Sequence, residues 1–115
     1  MTKLTIAVAA AALVALPALA QQAGHGAMAK QDYMKVMQDM QQKMMSADDP
    51  DPDRAFALKM MEHHRAGVGM AQVVQRHGDD AEIKRMAQKM ADEQRKDIAE
   101  LESWLARHGG PAPKQ

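Results

Sequence analysis

Hydrophobic positions recur along this chain in two distinct patterns. After Lys3 they run almost without interruption from Leu4 to Leu16, broken only by Thr5, and Pro17-Ala18-Leu19-Ala20 follows. From Lys30 onward they return every three or four residues instead, the period of an amphipathic helix. That period predicts a first helix from about Lys30 to Met45, with Tyr33, Met34, Met37, Met40, Met44 and Met45 on one broad side. The run Asp48-Asp49-Pro50-Asp51-Pro52-Asp53 must break it, and Asp51-Pro52 suits the cap and first residue of a second helix ending near His77-Gly78. Asp79 with Glu82 has the form of an acidic capping box opening a third helix, which reaches about His108 before Gly109-Gly110-Pro111 stops it. No strand-like alternation appears. The prediction is therefore an all-α fold, a small antiparallel helical bundle of three helices over residues 30–108, flanked by a flexible tail at 21–29 and a disordered tail at 109–115.

Polar groups interrupt the apolar faces of the last two helices. At about 100° per residue, Phe56, Met60, His63, His64, Gly67, Met70, Ala71 and Val74 share one arc of the second helix. A packed core has little use for adjacent imidazoles, whose ring nitrogens need partners once buried. The stripe Ile83, Met86, Ala87, Met90, Ile98, Leu101, Trp104, Leu105 of the third helix carries Gln94 and Asp97 in its middle. If these helices are antiparallel, His63 and His64 come close to the Gln94 to Asp97 turn. A carboxylate there can hold one ring N–H while the other nitrogen faces a metal. Spacing alone leaves open a His–Asp pair that merely joins two helices.

The amino-terminal pattern indicates where the protein works. A cation, a short apolar stretch and small residues at the peptidase spacing read as a signal peptide over residues 1–20, which places the protein in the periplasm or outside the cell. The apolar stretch is too short for a stable membrane span. Cleavage after Ala20 leaves 14 basic and 15 acidic side chains, a balance that argues against nucleic acid as a partner. There is no cysteine, which suits an oxidising compartment. The only aromatics are Tyr33, Phe56 and Trp104, so the core must be built largely from methionine and alanine, thin and adaptable. A homo-oligomer would complete such a core.

The segment Asp53-x-x-Phe56, then Met60-Met61-Glu62-His63-His64 and Met70-Ala71, then Gln94-x-x-Asp97-Ile98 with Trp104-Leu105, resembles the family catalogued as domain of unknown function 305. The likeness covers residues 30 to 106. It implies a ferritin-like helical bundle, often exported, with some members implicated in copper or silver binding and in copper tolerance. Met60, His63, His64 and Met70 fall on its histidine motif. Glu62 stands where proline is usual, Arg65 where glutamine is common, and Asp97 where glutamate is usual.

Thioethers are soft and neutral, so they favour Cu(I), and Ag(I) by the same logic, while imidazole serves several borderline ions. His63, His64, Met60 and Met70 are the expected metal ligands, with Asp97 and Gln94 supporting them. Met61, Met86, Met90, Met37 and His25 are further candidates, although a single methionine more often packs than ligates. His77 and His108 are expected to cap helix carboxyl ends. Catalysis finds no support: no glutamate precedes a histidine by three residues, the order His-Glu-x-x-His is missing, and no cysteine nucleophile exists. The expected function is thus an exported, non-enzymatic protein that buffers or shuttles copper, with a metal-exchange protein as a possible partner. Two alternatives remain: a structural or protein-interaction module with a Met-rich face, and a methionine oxidant sink.

Overall fold

The computed structural model describes residues 15–111, and within them every regular element is helical: α1 (Ala15–Ser46), α2 (Pro52–His77) and α3 (Ala81–Arg107). Asp51 caps α2 as its sequence predicts, its carboxylate accepting from the Asp53 N–H at 2.9 Å, with Pro52 as the first helical residue. α3 is capped one residue later than the Asp79–Glu82 pattern suggests: Asp80 accepts from the Ile83 N–H at 2.8 Å. Gly78 ends α2 without a left-handed twist (φ −79°); a Cβ there would lie 2.7 Å from the Val74 carbonyl oxygen, so the site needs hydrogen for space. Gly109 and Gly110, at φ 95° and 81°, do use the left-handed region to stop α3.

α1 begins well before Lys30, and the stretch expected as a flexible tail, 21–29, is helical. Alanine and glutamine there are strong helix formers that outweigh Gly24 and Gly26, and no proline occurs between Ala18 and Ser46. Pro17 sits in the first turn, where an N–H has no intrahelical partner to lose. The signal expected over 1–20 lies mostly outside the described residues, as does the end of the tail, 112–115. No described helix is long and apolar enough to cross a membrane.

The helices run antiparallel in chain order. Lys59 reaches the Met44 carbonyl and Arg76 reaches Asp32, which fixes α2 against α1, while His64–Asp97 and Gln75–Lys84 fix it against α3. α1 and α3 both pack on α2 and not on each other. The three helices therefore make one layer with α2 in the middle, and the core is as thin as the composition requires. Ala57, Leu58, Met61, Ala66, Ala71 and Val73 of α2 are buried, with Ala91 and Leu105 of α3, and none of the described side chains of α1 is.

Cations from the first turns of α2 serve the carboxyl ends of both neighbours. Lys59 donates to Met44 at the end of α1. Arg54 donates to the carbonyls of His108 and Gly110 beyond α3, and Asp49 holds its Nε at 3.0 Å. Positive charge at these ends also complements the helix dipoles.

Candidate metal centre

His64 occupies the middle of α2, facing α3. Its Nδ1 lies 2.7 Å from the Met60 carbonyl oxygen one turn back, and its Nε2 lies 3.1 Å from Asp97 Oδ2 across the groove. Both partners only accept, so holding the two contacts at once requires a hydrogen on each nitrogen, the imidazolium form. A neutral ring that keeps Nδ1–H on Met60 presents a bare Nε2 to the groove, the usual orientation of a ligating histidine. Asp97 then stands where a metal would sit rather than behind the ring. The His64–Asp97 contact that the sequence suggests is made, and the Met60 carbonyl holds the other ring nitrogen.

His63 is exposed, with its ring edge-on to His64 at 5.8 Å between centroids. With bonds of about 2 Å from ion to ring nitrogen, one ion can span this separation after small rotations of the rings. Met60 is half-buried on the same side and lines an open groove of about 820 Å³ with Phe56, His64, Asp97 and Trp104. Met70 is not brought to this point. Ten residues separate it from Met60, about 15 Å along the helix axis, too far for both sulfurs to reach one ion.

Gln94 is placed by a glycine. A Cβ on Gly67 would fall 1.9 Å from Gln94 Oε1, so the carboxamide rests directly against the α2 backbone in a niche that only glycine leaves open. Gly69, two residues on, meets Val36 of α1 instead, its absent Cβ 3.3 Å from the valine methyls. A Gly-Val-Gly step inside a helix is costly for propensity, and that cost is the sequence signal for close approach by both neighbours.

The remaining candidates scatter. Met61 is buried in the cluster of Ala57, Leu58 and Leu105 and serves packing. Met86 and Met90 are exposed on α3, and Met37 lines a groove on α1 with Met40, Met44 and Lys59. His25 meets His77 edge-on at 6.3 Å. His77 does not cap its helix: its Nε2 lies 2.9 Å from Asp32 Oδ2, an α1–α2 contact invisible in sequence because 45 residues separate the pair. That hydrogen bond, with Arg76 adding a second, holds the Asp32 carboxyl below its ordinary value. His108 does cap α3, bonding the Trp104 carbonyl through Nδ1 and stacking on the indole at 4.1 Å. Arg65 is neutralised by Glu62 and Glu102 away from His63, so its charge does not face the groove. Among the described residues, no three His, Cys, Asp or Glu side chains gather into a coordination set, and any centre here depends on thioether sulfur.

Fold and site together define a small all-α bundle that carries an imidazole and thioether face on its middle helix. The family model described as Domain of unknown function (DUF305) matches residues 5–105, and the chain belongs to that family. None of the curated proteins matches it.

Proposed function

We propose that this protein is an exported, non-enzymatic bundle that binds Cu(I), and Ag(I) by the same chemistry, and buffers or shuttles it. The observation that carries this reading is the anchoring of His64 Nδ1 on the Met60 carbonyl, which aims Nε2 into a groove beside the Met60 side chain and an exposed His63. Soft sulfur with neutral imidazole suits a monovalent coinage ion better than a hard cation. Such donors keep their capacity in an oxidising compartment because they form no disulfides, which agrees with the signal-like amino terminus. Binding requires Asp97 to leave Nε2, and its side chain is about half exposed and free to swing into water.

Anaerobic titration of the reduced protein with Cu(I) against a chromophoric competitor tests this. Stoichiometric uptake is expected, and replacing His63 and His64 together by alanine should weaken it by at least about tenfold while the helical signal persists, since even supporting residues of metal sites are worth that much. No uptake by the parent would refute copper binding. One observation favours a purely structural role: with Met60 and Asp97 as partners, His64 is satisfied without any metal. In that case the double variant melts earlier and the parent ignores copper.

A further inference from the structure

The layer formed by α1, α2 and α3 has two unlike faces. One carries Arg65 with Glu62 and Glu102. The other carries Phe56, Met60, His63, Gly67, Met70 and Val74, which fall within about 80° of one another on α2 at the helical period. Ile83, Met86 and Met90 of α3 and Met34 and Met37 of α1 are exposed as well, Met86 and Met90 lining a groove with Gln94 and Met37 one with Lys59, and at the helical period they continue this second face. Phe56 is 63 % exposed and Met90 59 %, although both belong to faces whose sequence pattern asks for burial. Those two, with Met34, Met37, Met70, Ile83 and Met86, leave an apolar surface of roughly 700 Å², close to the ~800 Å² that each partner gives to a stable interface.

We infer that a second copy of this chain covers this face, and that each copper centre is completed by a methionine of the other copy. α2 spans Pro52–His77, so its midpoint falls between His64 and Arg65, at the centre of the open face. A two-fold axis through that midpoint, perpendicular to the helix, sets the two α2 helices antiparallel with their histidine pairs adjacent. Met60 then lies about 7 Å along the axis on one side of the crossing, and Met70 of the second copy lies about 8 Å along it on the same side. The separation that strands Met70 from Met60 within one chain thus brings them together between chains. Two equivalent centres follow, each with Met60, His63 and His64 of one copy and Met70 of the other, the His64 side chains lying closest to the axis. An antiparallel crossing as shallow as about 20° keeps both sulfurs near the shared line of contact.

The shared centre rests on the copper binding proposed above, whereas the pairing of copies does not, and the test separates them. Purified protein should sediment as a dimer at micromolar concentration and take up one Cu(I) per chain. F56E and I83E together should yield a folded monomer with weakened uptake. The decisive step is complementation: M60A and M70A should each lose tight binding, and a mixture exchanged through mild denaturant should regain it in those dimers that pair one variant with the other. In each mixed dimer, one of the two centres is again intact. A copper-loaded monomer, or a mixture no better than its parents, would overturn the inference and leave copper binding standing. A dimer that ignores copper would refute the shared centre and copper binding together.

Discussion

Both ring nitrogens of His64 face acceptors, so under the proposed copper binding Asp97 would compete with the metal for Nε2. Replacing Asp97 by alanine is therefore expected to strengthen Cu(I) uptake, by up to about fivefold if the exposed contact is worth what such pairs usually are. A carboxylate that instead oriented the ligand would weaken uptake when removed, and the same competition titration distinguishes the two. Gly67 invites a second test. Alanine there gains up to about 1 kcal/mol of helix propensity but expels Gln94 from its niche. Thermal melting should show little loss, while the side-chain amide resonances of Gln94 move in the NMR spectrum. The sequence marked His63, His64, Gln94 and Asp97 as polar interruptions of apolar arcs, but the structure buries mainly other positions of α2, among them Ala57, Leu58, Met61 and Val73, and leaves Phe56 and His63 exposed. Nor did the sequence reveal which nitrogen each acceptor takes, because that depends on rotamers set by the tertiary approach of α3.

At the scale of the element, α1 is attached rather than buried. Among its described side chains none is buried in the core, and it is held by Lys59, Gly69 against Val36, and the Asp32 contacts with His77 and Arg76. Asp32 titrates below its ordinary value because His77, and then Arg76, bond its charged form. A carboxyl lowered on folding stabilises the fold above its unfolded value of about 3.8, and the contribution is lost as pH falls through the lower folded value. Acidification below pH ~4 should loosen α1 first, seen as faster amide exchange in α1 than in α3. D32N should remove that difference in pH response. Arg54 does for α3 what these contacts do for α1, and R54A is expected to fray its last turn at a cost of roughly 1–2 kcal/mol in denaturant unfolding. Helix α2 was legible nearly to the residue because Asp51-Pro52 and Gly78 are strong punctuation. The start of α1 was not, since Gly24 and Gly26 mimic a linker while the surrounding alanines and glutamines sustain a helix.

For the molecule as a whole, the arrangement of the layers was the part hardest to read. Periodicity established three helices and their order, and short connections implied antiparallel neighbours, but neither shows that α1 and α3 fail to touch. That gap leaves the methionine face open with the histidine pair near its centre, and the pairing and metal uptake proposed above would draw on that one surface. The most direct test of the proposed copper centre is X-ray absorption at the copper edge on protein incubated with Cu(I), parent against the His63→Ala, His64→Ala double variant. The parent should show mixed imidazole and thioether scattering, and the double variant should lose the imidazole component together with most of its copper. Sulfur-only coordination that is identical in both proteins would contradict a centre built on these histidines.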